Sequence, residues 1–194
     1  MTLHLNDLTD EIGKQLIQHA RNTLDTILLH DKEPQELNGG IFDEKSGIFC
    51  TLKKFGDLRG CIGYPTPVYS LGKALTLAVQ ASALEDPRFP AVTAKELSDI
   101  TIELTVLTPP EVLDVKNYQE YFNLIEIGRD GLIADGGMFR RGLLLPQVPV
   151  EWNWDVKEFL QHTCQKAGLP ANAWKNIDKT KIERFQGKIF YEEN

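Results

Sequence analysis

Cysteine is scarce in this chain of 194 residues: there are three, Cys50, Cys61 and Cys164. Their number is odd, their spacing is wide and no Cys-x-x-Cys pair occurs. This excludes a disulfide framework and a structural zinc site of the finger type, and no metal is expected. Free thiols predict a reducing compartment, the cytoplasm. No apolar run approaches the ~20 residues of a membrane-spanning helix. The opening MTLHLNDLTDEIGKQLI lacks the basic start and apolar stretch of a secretory signal. Lys and Arg never run beyond two residues and the formal net charge is -7. Nucleic-acid binding, which neutralises phosphates with basic side chains, is therefore disfavoured. Neither GxxxxGK(S/T) nor GxGxxG is present, so no phosphate-binding glycine loop is expected.

What is there is an ordinary globular balance, 42% hydrophobic and 25% charged, long enough for a real core. Leu8, Ile12, Leu16, Ala20, Leu24, Ile27 and Leu28 recur at three- and four-residue spacings, which predicts a helix over Asp7–His30. Strand-like runs follow, with EKSG and FGDL as hairpin turns. A second helix is expected over Ser70–Leu84, ended by the prolines of EDPRFP. DITIELTVLTPP alternates as a half-buried strand. LIEIG, GLIADG and RRGLLLP read as further strands, Asp155–Ala167 as a helix and KIERFQGKIFYEE as a closing strand or two. Helices and hairpins in these proportions give an α+β class.

Two segments echo each other. GIFCTLKKFGDLRGCIGYP (47–65) and GLIADGGMFRRGLLLP (131–146) each hold an apolar strand, a turn, an Arg-Gly pair and a proline before a helix. Arg59-Gly60 corresponds to Arg141-Gly142. The reading is two α+β lobes, with cores near 40–90 and 125–170 and a cleft between them. Duplication and coincidence of short strand–turn–strand–helix units both remain open.

Cys61 lies between Gly60 and Gly63, two residues from Arg59. As a nucleophile it needs nearby cations or backbone N–H groups to favour the thiolate. On a regular strand Arg59 shares its face, and the glycines let a substrate approach the main chain. The plain alternative is a small buried hydrophobe with glycines that serve packing. None of His4, His19, His30 and His162 is an obvious base, so Glu103, which interrupts ITIELTV, is the candidate acid/base, paired with Arg59 or Arg88. Arg88, in a proline-stiffened loop, suits a carboxylate or phosphate. Gln147, near Pro146 and Pro149, can donate and accept. Trp152 and Trp154 could stack on a ring, although aromatics at a helix entry are commonly packing.

The hexapeptide LRGCIG (58–63), together with EDPRFPAV (85–92), IELTVLTPPEVL (102–113), IGRDGLI (127–133) and LLPQVPVEWNWDVKEFLQHTCQKAGL (144–169), resembles the AMMECR-one family along nearly the whole chain. The resemblance implies a two-lobed α+β protein whose hexapeptide faces a cleft. The resemblance marks the hexapeptide as the site; taken with the residues weighed above, Leu58, Gly60, Ile62, Gly63, Arg88, Arg141 and Gln147 are the candidate ligand-binding positions, and Cys61, Arg59 and Glu103 the candidate catalytic ones. It implies a stand-alone archaeal member and a modification pathway shared with Memo-like and radical S-adenosylmethionine proteins. No cofactor is implied, and the chain lacks the cysteine triplet of an iron–sulfur radical enzyme. Two functions follow: an enzyme using Cys61, or a non-catalytic adaptor holding a small molecule or a partner protein.

Overall fold

The computed structural model describes residues 3–30 and 32–193. In chain order it contains α1 (Asp10–Leu29), β1 (Gly47–Lys54), β2 (Asp57–Tyr64), α2 (Leu71–Leu84) and β3 (Ile100–Leu107). Then come β4 (Glu111–Val112), α3 (Tyr121–Leu124), β5 (Asp130–Asp135), β6 (Arg141–Leu144), α4 (Gln147–Glu151), α5 (Val156–Lys166) and β7 (Lys181–Tyr191), with short 3-10 helices between some of them. Helices with antiparallel strands make the protein α+β. The chain divides into two compact units, Met1–Pro109 with Lys188–Asn194, and Pro110–Gly187. Among the described residues no helix is long and apolar enough to cross a membrane.

In the first unit the Thr9 hydroxyl caps α1 by accepting from the Ile12 N–H at 3.3 Å. The helix therefore starts three residues later than the apolar spacing suggests, and Leu5–Asp7 form a separate 3-10 turn. Leu16, Ala20 and Leu24 line its buried stripe. Strand β1 pairs antiparallel with β2 on one side and β3 on the other, and the end of β7 lies beside β3. β3 alternates as its sequence requires: Ile100, Ile102, Leu104 and Val106 are buried, whereas Thr101, Glu103 and Thr105 are partly exposed. The buried face of the sheet meets α2 at β1 and β2 and α1 at β3, through a core that includes Cys50, Leu52, Leu75 and Val79. Truncating one such leucine to alanine costs about 2–5 kcal/mol.

In the second unit β5 pairs with β6 and with β7, and β4 adds to β7. α5 opens on a capping box: Asp155 Oδ1 accepts from the Glu158 N–H (2.8 Å) and Glu158 Oε2 from the Asp155 N–H (3.0 Å). Its buried face, Phe159, Leu160 and Cys164, packs with Leu132, Trp174 and Ile182.

Two sequence expectations fail locally. EKSG is no hairpin turn, because Gly40–Asp43 form a 3-10 helix in which Asp43 accepts from the Gly39 N–H. LIEIG is no strand. The buried Asp130 carboxylate takes the Glu126 N–H at 2.8 Å, and Asp130 N–H returns to the Glu126 carbonyl, which bends this segment into a turn.

Candidate functional site around Cys61

The β1–β2 hairpin turns at Phe55-Gly56, where both residues have positive φ (53° and 90°). Leu52 lies opposite Gly60, yet Lys53 lies opposite Leu58, so Arg59 is an unpaired extra residue: a β-bulge. This bulge defeats the alternation argument for Arg59. Instead of sharing the Cys61 face, the guanidinium reaches Glu96, with Nε at 3.0 Å and Nη2 at 3.2 Å. It also donates to the carbonyls of Pro90 (2.9 Å) and Ala91 (3.3 Å). Glu96 is the carboxylate that Lys54 also reaches, and Lys54 points opposite to Lys53. These contacts, Arg59 foremost, hold the Glu96 carboxyl well below the usual carboxylate range.

Strand β2 is the edge of its sheet. At Cys61 two side chains from beyond α2 cover that edge. The Cys61 N–H donates to Asp86 Oδ2 at 2.8 Å, and Arg88 Nη2 donates to the Cys61 carbonyl at 3.1 Å. Asp86 and Arg88 are bonded to each other at 2.9 Å and 2.6 Å, so the ion pair occupies both polar groups as a neighbouring strand does. Asp86 is only 4% exposed. Arg88 is the main cause of a carboxyl held well below its ordinary range, and the Cys61 and Arg88 N–H groups add to it. One residue along, the Ser82 hydroxyl accepts from the Ile62 N–H (2.9 Å) and donates to the Cys50 carbonyl (2.8 Å).

The flanking glycines answer to packing. A Cβ on Gly60 would stand 2.1 Å from the Ser82 carbonyl oxygen, so its absence lets α2 lie on β2. Gly63 sits beneath the Phe49 ring. Leu58, at the start of the motif, is 43% exposed.

Cys61 is partly exposed, and its Sγ accepts from the Thr51 hydroxyl at 3.3 Å. Thr51 lies opposite Cys61 on one side and Glu103 on the other, which makes a cross-strand row on the face away from α2. Glu103 pairs with Lys53 at 2.7 Å, not with Arg59 or Arg88, and this contact raises the Lys53 pKa. Two strand spacings, about 9–10 Å, separate the Cys61 and Glu103 backbones. The other thiols are enclosed: burial pushes Cys50 up to about 12 and Cys164 up to about 11.

The remaining candidates belong to the second unit. Arg141 bonds Asp135 (3.3 Å) and Glu183 (2.7 Å), and Gln147 opens α4, exposed. The histidines lie elsewhere, with His19 on Thr76 and His162 stacked on Trp154. Sequence reasoning missed Ser82, Asp86, Glu96 and Thr51. Asp86 had a signal, an acid two residues before Arg88 in a rigid loop; Thr51 needed the strand register.

The AMMECR1 family pattern matches residues 17–190. Protein MJ0810 of Methanocaldococcus jannaschii is 48% identical over 95% of this chain and 92% of its own length. The crystal structure of the uncharacterized protein PH0010 from Pyrococcus horikoshii is similar at a TM-score of 0.78. It is 44% identical, and the match covers 95% of this chain and 93% of that one.

Proposed function

This chain belongs to the AMMECR1 family, and we propose that it serves as a non-catalytic binding module of the cytoplasm. Its contact surface is the open strand face around Cys61. The observation that carries this reading is the commitment of the charges near that cysteine. Arg59 is bonded to Glu96, Lys53 to Glu103 and Arg88 to Asp86. The Cys61 N–H, which could otherwise stabilise an oxyanion, is held by Asp86. A nucleophilic role requires Arg59 to favour the thiolate and Glu103 to move a proton within hydrogen-bond reach. Arg59 is turned away by its bulge and Glu103 lies two strands off. What the face offers instead is recognition: the thiol, the Thr51, Thr101 and Thr105 side chains, and the Lys53–Glu103 pair. The family resemblance names Memo-like and radical S-adenosylmethionine proteins as the partners to try.

Two measurements separate binding from catalysis. Arg59→Ala leaves the alkylation rate of Cys61 at pH 7 within about twofold of wild type, because Arg59 supplies no charge to the thiol. Affinity for a Memo-like protein from the same cell, read by calorimetry, falls with Thr51→Arg and survives Cys61→Ser. A tenfold slower alkylation of Arg59→Ala, with the fold intact, returns Cys61 to the nucleophile class. Absence of any Memo-like binding removes that partner.

A further inference from the structure

The VEWNWD segment of the second unit forms an aromatic array separate from the Cys61 face. Trp152 ends α4 with its N–H on the Val148 carbonyl, and Asn153 takes φ 53°, a left-handed value that Asn tolerates. That step brings Trp152 and Trp154 together, with ring centroids 6.2 Å apart and planes within 20°. Trp154 in turn stacks on the His162 imidazole at 3.9 Å and 12°. Trp154 is packed against the second core, but Trp152 is 68% exposed. Stacking holds the outer indole in one orientation, so a partner has little ordering left to do.

Charge selects what this indole fits. Within six residues of Trp152 in sequence lie three acids, Glu151, Asp155 and Glu158, and one cation, Lys157. The capping box fixes Asp155 and Glu158. Glu158 and His162, four residues apart on α5, share a helix face. An aromatic face among carboxylates favours a cation, and a flat stacked face favours a planar one. We infer that Trp152 is the docking platform for an arginine on a basic segment of a partner protein. The guanidinium lies flat on the indole, and the negative charge of Glu151, Asp155 and Glu158 favours the cation. An ammonium has no plane to match the ring. A nucleotide has the plane, but its phosphate meets the carboxylates. This inference is independent of the Cys61 reading, since it concerns other residues on the other unit.

The experiment follows the Trp152 indole N–H signal of the full chain by NMR; Trp152, Trp154 and Trp174 are its only tryptophans, so assignment is direct. The probes are a blocked Gly-Arg-Gly-Arg-Gly peptide, its lysine and citrulline counterparts, and AMP. The arginine peptide moves the Trp152 signal saturably and less so as salt rises. Lysine binds more weakly, and citrulline, planar but neutral, does not bind. By calorimetry Trp152→Ala weakens the arginine peptide about two- to fivefold, and Glu151→Gln weakens it as well. Both variants keep the wild-type circular dichroism. The assignment is overturned if Trp152 ignores the arginine peptide, if lysine, citrulline or AMP matches it, or if Trp152→Ala binds unchanged.

Discussion

Replacing Asp86 by asparagine removes one charge and almost no volume from the strand edge at Cys61. The carboxylate accepts from the Cys61 N–H (2.8 Å), the Arg88 N–H (3.1 Å) and the Arg88 guanidinium (2.9 and 2.6 Å). The Arg88 side chain is 53% exposed, so solvent screens most of its share. The bond to the Cys61 N–H and the burial of Asp86 set the magnitude. A hydrogen bond to a buried charge is worth about 1.5–3 kcal/mol, and Asp86→Asn should destabilise the first unit by about 2 kcal/mol at pH 7. The sign with pH follows from the lowered folded-state pKa. The stabilisation is fully present above the unfolded carboxyl pKa of ~3.9 and is lost as pH falls toward the folded value. Between pH 5 and pH 3 the gap between wild type and variant should narrow by about 1.3 kcal/mol, at 1.36 kcal/mol per unit. Glu96 is shifted the same way but is present in both proteins and cancels. Urea unfolding followed by circular dichroism measures the gap, and hydrogen exchange at the Cys61 amide localises it. A gap below about 0.5 kcal/mol at pH 7, or one that does not change down to pH 3, refutes the account of the Asp86–Arg88 clamp.

Other outcomes follow from the same contacts. Gly60→Ala puts a methyl 2.1 Å from the Ser82 carbonyl, and Gly142→Ala puts one 2.4 Å from the Ala167 nitrogen. Each should lower stability by about 1–3 kcal/mol in urea, and wild-type stability in either variant would contradict the close helix approach. Native protein treated with iodoacetamide at pH 8 should gain one adduct by intact mass, on Cys61. Cys50 and Cys164, raised to about 12 and about 11, should label only after unfolding. Native labelling of either refutes their enclosure.

The legible parts of this chain were those set by local period. Ile100, Ile102, Leu104 and Val106 alternate because one face of β3 is buried, and no distant residue is needed to read that. The amphipathic stripe of α1 is local in the same sense. The site was legible in place and illegible in wiring. LRGCIG marked β2, but the face of Arg59 depends on a bulge fixed by the register with β1, and register is a property of two strands. The proline-stiffened loop marks Arg88 as a guanidinium suited to an anion. Its anion is Asp86, its own neighbour, because the loop after α2 folds both onto the edge of β2.

The repeated Arg-Gly pair shows what register adds to a sequence echo. In the first unit a hairpin, β1–β2, leads to α2 and then to a third strand, β3, which pairs with the first strand of the hairpin. In the second, the hairpin β5–β6 leads through α4 to α5 and then to β7, which again pairs with the first strand of its hairpin. Gly60 and Gly142 occupy the same place in this plan. Each lies on the second hairpin strand beneath the C-terminal turn of the following helix, at Ser82 in one case and at Lys166-Ala167 in the other. Arg59 and Arg141, one residue before, each turn to carboxylates of their own unit, Glu96 in one and Asp135 with Glu183 in the other. What differs is the edge beyond the glycine. The Asp86–Arg88 clamp on Cys61 belongs to the first unit, where a cysteine follows the glycine, while Leu143 follows it in the second. The common strand order places the Arg-Gly pair alike in both units, and the clamped Cys61 lies in the first.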